Sequence, residues 1–144
     1  METKKVLVKV KDSSIKFPEF SSDQSYFYLR VSTFNRLFKG REEVSLDVLG
    51  YSIQKKGMIC LRPFERVVIG TGLTFSFEGV VLEVTNNDNL LINQGLQVAG
   101  HSFNKDNELE VVLYNGSQFL SEVFINSVVA KATFVLTQSV EFVI

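Results

Sequence analysis

Arg62-Pro63-Phe64-Glu65-Arg66-Val67-Val68-Ile69-Gly70-Thr71-Gly72-Leu73, running on through Thr74-Phe75-Ser76-Phe77-Glu78-Gly79-Val80-Val81-Leu82-Glu83-Val84, decides the fold. Valine, isoleucine, threonine and phenylalanine dominate it. Side chains branched at Cβ and aromatic rings suit a pleated, half-buried surface better than a helix. Pro63 breaks the apolar run, so strands are predicted over 58–61 and 66–69. Thr71-Gly72 reads as a turn, and strands over 73–77 and 80–84 flank Glu78-Gly79, a hairpin signal.

The same grammar extends outward. Residues 5–11 alternate Val6, Val8 and Val10 with Leu7, Lys9 and Lys11, a period-two strand with one polar face. Phe17-Pro18-Glu19-Phe20 is an extended connection, and 26–31 is strand-like. Phe34, Leu37 and Phe38 share a helical face, so 32–39 is predicted as a short helix stopped at Gly40. Residues 44–53 alternate again before a Lys55-Lys56-Gly57 turn. Asn86-Asn87-Asp88-Asn89 is the most polar loop. Further strands are expected over 96–99, 109–114, 123–125 and 128–136, with turns at 104–107 and 115–117. Ser139-Val140-Glu141-Phe142-Val143-Ile144 reads as a final apolar strand, closing this sheet or pairing with a neighbouring subunit.

The whole chain bears this out: twenty valines and thirteen phenylalanines stand against three alanines. An all-β domain of many short strands is predicted. At 144 residues, 1–144 form one domain. Fifteen basic residues against sixteen acidic ones give a net charge of −1, so no general nucleic-acid binding is expected. No apolar run reaches the ~20 residues of a membrane span, and the Val6-Leu7-Val8 stretch is too short for a signal peptide. No membrane partner and a cytoplasmic location are expected. One cysteine, Cys60, excludes an internal disulfide, and one histidine, His101, excludes a histidine-rich metal site within one chain. Cys60, in an apolar strand, is expected to be buried. No cofactor or metal is expected.

The order of segments resembles the trimeric dUTPase and dCTP deaminase superfamily. Pro63 to Leu73 resembles the family's proline-led strand, with Thr71-Gly72-Leu73 matching its ending. Leu90-Leu91-Ile92-Asn93-Gln94-Gly95-Leu96 resembles the segment after its second motif. Leu109-Glu110-Val111-Val112-Leu113-Tyr114-Asn115 resembles the strand after its third, and Val128-Val129-Ala130 its fourth. Lys16-Phe17-Pro18-Glu19-Phe20 resembles the family's entry, and Ser25 to Arg30 falls where Ala-Gly-Tyr-Asp-Leu-Arg would stand. The resemblance implies a β-clip or distorted jelly roll, a homotrimer with sites at subunit boundaries, and an insertion at 32–57.

The catalytic residues of that family do not stand here. Its chemistry needs donors against polyphosphate charge, Mg²⁺, and a carboxylate base for water. The first-motif Asp falls on Tyr28, with Asp47 as a rival register. The second motif's Arg and Ser fall on Asn86, Asn87, Asp88 and Asn89. The third-motif Asp falls on Asn104, and an amide is no carboxylate base. The fourth-motif Gln falls on Lys131, and the glycine-rich fifth motif has no counterpart. No catalytic residue is assigned. Ligand-binding candidates are Tyr28, Asn86, Asn87, Asp88, Asn89, His101, Asn104, Lys105 and Lys131. A lysine supplies a point charge for phosphate, an imidazole stacks on or hydrogen-bonds a base, and amides both donate and accept. Each also has a plain structural reading as a turn or a solvated strand residue. The expectation is a non-catalytic protein that binds or sequesters a nucleotide-type ligand in inter-subunit clefts, of the kind a virus or phage uses as an accessory or counter-defence protein in host cytoplasm. One alternative is a structural or regulatory trimer that binds a protein partner through Phe34, Leu37 and Phe38. A second is a pyrophosphatase using rearranged acids, Asp47 or Asp88 with Mg²⁺.

Overall fold

A computed structural model describes residues 4–15, 18, 26–46, 57–137 and 141–143. Among these, eleven strands and one short helix follow in the order β1 (Val6–Val10), β2 (Tyr26–Arg30), β3 (Thr33–Lys39), β4 (Glu42–Val44), β5 (Met58–Leu61), β6 (Glu65–Phe77), β7 (Val80–Asn86), α1 (Asp88–Gln94), β8 (Leu96–Phe103), β9 (Glu108–Asn115), β10 (Ser121–Phe124) and β11 (Val128–Leu136).

The decisive stretch forms β6, the longest strand. Its first half pairs with β3 and its second half with β1, while β9 pairs along its other edge. With β4 and β8 outermost, this makes a six-stranded sheet. Two smaller sheets complete the molecule, β2–β11–β7 and β10–β5. Alternation decides what faces inward: Leu109, Val111 and Leu113 of β9 are fully buried, as are Val67 and Ile69 of β6. Rings join the sheets. Phe134 of β11 lies 5.5 Å from Phe77 and 6.0 Å from Phe75, and Phe27 of β2 stacks 6.0 Å from Phe75. These separations are those of attractive aromatic pairs.

Several expectations are corrected. Residues 33–39 are a strand, not a helix. Their register slips between Phe34 and Arg36, so Phe34 and Leu37, three apart, both turn towards the core. Leu37 is therefore a core residue rather than part of a docking face, and Phe38 lies between the guanidinium groups of Arg36 and Arg66, at 4.9 and 4.8 Å. Thr71-Gly72 does not end a strand. It is an irregularity inside β6, with Gly72 at φ 71° and its amide on Glu108. A Cβ on Gly72 would collide with the Ile15 side chain, so both backbone and space call for glycine. Glu78-Gly79 is a tight turn but no hairpin: β7 pairs with β11, so the turn carries the chain from one sheet to another. The polar 86–89 stretch ends β7 and opens α1. Cys60 is exposed because Ile59 and Leu61 on either side of it are buried, so strand alternation turns this side chain outward. Of the predicted terminal strand, 141–143 carry no strand, with Phe142 and Val143 exposed; the rest lies outside the described residues, as do Asp47, Lys55 and Lys56.

Buried polar groups are tied down. Asn115 is fully buried; its Nδ2 donates to Leu61 O and Phe119 O, and its Oδ1 accepts from the Ser117 amide and hydroxyl. Glu108 accepts from Gly72 N, Asn104 Nδ2 and Lys11 Nζ. The Pro63-Phe64 turn is closed by Glu65 N donating to Arg62 O and by Arg62 N donating to the Glu65 carboxylate. Phe64 takes φ 65° there.

Candidate functional site

Tyr26 and Tyr28 project from the outer face of β2 because Phe27 and Leu29, which alternate with them, are buried. On β11, Lys131 stands between Ala130 and Ala132, both fully buried, so its side chain takes the outer face too. Register then sets Lys131 opposite Tyr28 on one side and Thr85 of β7 on the other. The Lys131 ammonium lies 4.1 Å from the Tyr26 ring centroid, and the Tyr26 and Tyr28 rings meet edge-on at 5.9 Å. The ammonium is thus held over a ring face by cation–π attraction, while Tyr28 remains half exposed.

The asparagines serve the fold. Asn86 Oδ1 accepts from Val98 N (2.7 Å), tying β7 to β8. Asn87 caps α1, accepting from Asn89 N, and its Nδ2 donates to Val128 O. Asn104 Oδ1 accepts from Asp106 N and Glu108 N, and its Nδ2 donates to Glu108, which shapes the β8–β9 turn. Asp88 and Asn89 are exposed at the start of α1, as are His101 on β8 and Lys105 on the β8–β9 turn. Tyr28, Lys131 and the Asn86–Asn87 pair meet on one small sheet, Asn86 being the register partner of Ala130. His101, Asn104 and Lys105 belong to the outer hairpin of the six-stranded sheet.

A cavity of about 300 Å³ opens beside Tyr28, lined also by Ser14, Arg30, Ser32, Thr71 and Asn126. Arg30 Nη1 donates to Asn126 O (2.8 Å). Strand alternation alone places Arg30 on the face of Tyr28. Ser14, Thr71 and Asn126 come to it only through the fold, which is why sequence reasoning missed them. A second, shallower groove carries the exposed apolar side chains Ile92, Phe119, Leu120 and Phe124, with Cys60 and Glu122 beside them.

Among the described residues, no group of three or more His, Cys, Asp or Glu is placed to hold a metal ion. Mg²⁺ takes hard oxygen ligands, chiefly carboxylate, phosphate and water. The motif positions here offer a phenol, amides, a lysine and a single exposed carboxylate, Asp88, so no cluster of carboxylates stands there to hold Mg²⁺.

No protein-family model matches the chain, and no curated protein matches it in sequence. Solved structures do. The EIAV dUTPase superposes with a TM-score of 0.64 at 14% identity, covering 96% of this chain and 93% of that one. The dUTPase from phage phi11 of S. aureus gives 0.65 at 12%, covering 96% and 94%. The dUTPase of Streptococcus mutans gives 0.61 at 10%, covering 94% and 98%. The chain therefore has the all-β fold of the dUTPase-like superfamily. Among the described residues no helix is long and apolar enough to cross a membrane.

Proposed function

We propose that this protein is a non-catalytic member of the dUTPase-like superfamily, a homotrimer that binds and sequesters a nucleotide-type ligand in clefts between its subunits. The observation that supports it is the outer face of β2 and β11: an exposed Tyr28 ring beside a lysine ammonium held 4.1 Å over Tyr26. A flat base has a ring to stack on, and a phosphate has a fixed cation next to it. Tyr28, Asn104 and Lys131 replace the acids and amide of the hydrolytic motifs, so neither a carboxylate base nor a metal-bearing set stands where water would be activated. His101 and Lys105 enter the site where a neighbouring subunit brings its β8–β9 hairpin to this face. Sequestration without turnover suits a viral or phage accessory or counter-defence protein acting in host cytoplasm.

Thermal-shift screening against nucleoside mono- and triphosphates and cyclic mono-, di- and trinucleotides tests this, with each ligand recovered and checked for cleavage. The expected outcome is a raised melting temperature with intact ligand. Lys131→Ala is expected to weaken binding about tenfold, the worth of one charge-assisted hydrogen bond. Cleavage would revive the pyrophosphatase reading. In light scattering, the protein is expected at three times the 16.3-kDa chain mass. A second reading, a protein-binding trimer, is favoured by the groove of Ile92, Phe119, Leu120 and Phe124. It predicts no shift with any nucleotide, and partner capture that Phe119→Asp abolishes.

A further inference from the structure

Two turns meet at one end of the six-stranded sheet. Lys39 pairs in register with Glu65, so the β3–β4 turn and the Pro63-Phe64 turn lie side by side, and Arg66 Nη1 donates to Gly40 O between them (2.6 Å). Just behind the turns, one cross-strand row reads Phe38, Arg66, Tyr114, all half-buried. Register partners share a face of the sheet, here the one opposite buried Leu37, Val67 and Leu113. Rings and a cation therefore alternate on the outer face, and Phe38 lies between the guanidiniums of Arg36 and Arg66. Lys39, Arg41 and Arg62 are exposed on or beside the turns, and among the described residues no carboxylate pairs with them. The acids nearby are mostly engaged. Glu43 fills the fork of Arg36, and buried Glu65 accepts from the Arg62 amide, which leaves Glu42 as the one exposed, unbonded acid of these turns among the described residues. The net charge of −1 averages this cluster away. Phe64 completes it. Its φ of 65° is unfavourable for a residue with a β-carbon and its side chain is 59% exposed, so the strain is not offset by burial.

We infer that this end of the sheet binds single-stranded nucleic acid, with bases stacked on Phe64 and on the Phe38–Arg66 layer and backbone phosphates on Lys39, Arg41 and Arg62. Aromatic rings and guanidinium planes are the surfaces on which unpaired bases stack, and cations alongside them track the phosphates. An acidic peptide fits less well: a carboxylate seeks the bidentate fork of Arg36, which Glu43 already fills, and draws nothing from an exposed ring. The patch lies on a different sheet from Tyr28 and Lys131, and the inference does not rest on the nucleotide reading.

Fluorescence anisotropy of the full chain with labelled oligothymidylate and oligouridylate of about twenty nucleotides, longer than a single site, tests this. Binding is expected to weaken with salt at a logarithmic slope of about −2, as three phosphates at about −0.7 each require. Phe64→Gly is expected to weaken binding of both oligonucleotides about tenfold, the worth of one stacked base, and to leave the salt slope unchanged. Glycine suits the backbone at this position, so the unfolding midpoint is expected to rise, and a loss of binding cannot then come from a loss of fold. Arg41→Gln combined with Arg62→Gln is expected to bring the slope to about −0.7. An oligoglutamate of equal length is expected to bind about tenfold more weakly than either oligonucleotide. No binding of either oligonucleotide would overturn the inference. So would an affinity unchanged by Phe64→Gly or a salt slope unchanged by the arginine pair, either of which would put the strand elsewhere on the molecule. Oligoglutamate binding as tight as that of the oligonucleotides would overturn it too, and would assign the patch to an acidic protein.

Discussion

Phe64 occupies the left-handed backbone region, where a β-carbon costs about 1–2 kcal/mol, and its side chain is largely exposed. A turn with proline second and positive φ third normally has glycine there. Phe64→Gly is expected to stabilise the protein by about 1 kcal/mol in denaturant unfolding, since strain is relieved and little burial is lost. Asn115 gives the opposite case. Its fully buried amide satisfies two carbonyls and accepts from two donors. Asn115→Ala is expected to cost about 2–4 kcal/mol, measured the same way. Neither role is legible locally. An asparagine before Gly116 reads as a turn residue, and only the fold reveals that Leu61 and Phe119 converge on it.

At the scale of elements, strands were legible and their partners were not. Alternation over 5–11, the apolar stretch of 109–114 and the β-branched Val67-Val68-Ile69 announce β1, β9 and the start of β6. The spacing of Phe34, Leu37 and Phe38 misled, because a bulge changes a strand's period and imitates a helix's. Glu78-Gly79 was correctly a turn, but no local signal says that β7 leaves for another sheet. The reading of the candidate site has the same shape. Tyr28 and Lys131, taken from two separate motif positions, are register partners, which no local signal announced, whereas Asn86, Asn87 and Asn104 hold carbonyls and amides of the fold. Cys60 tests the placement of β5. Between buried Ile59 and Leu61 its thiol is outward, so it is expected to react with a thiol reagent in the native protein, one equivalent without denaturant. Labelling seen only after unfolding would mean that another surface covers it.

For the whole molecule, β6 is the shared member: β1 and β3 lie along one edge and β9 along the other, so no half of the six-stranded sheet closes without it. The three-stranded sheet poses a different problem. Its middle strand, β11, is the last strand among the described residues, while its flanks β2 and β7 come far earlier. During translation the ribosome releases both flanks long before the strand that joins them, so Phe27, Leu29 and Leu82 must wait with their backbones unpaired. Closure of this sheet then waits for β11 and is slowed by closing long loops. Nascent chains stalled before Val128 clears the exit tunnel are expected to be protease-sensitive in β2 and β7, and resistance there is expected to appear once Leu136 has emerged. In a crowded cell that interval is the time when these sheet edges are open to other chains, and a chaperone would have to shield them.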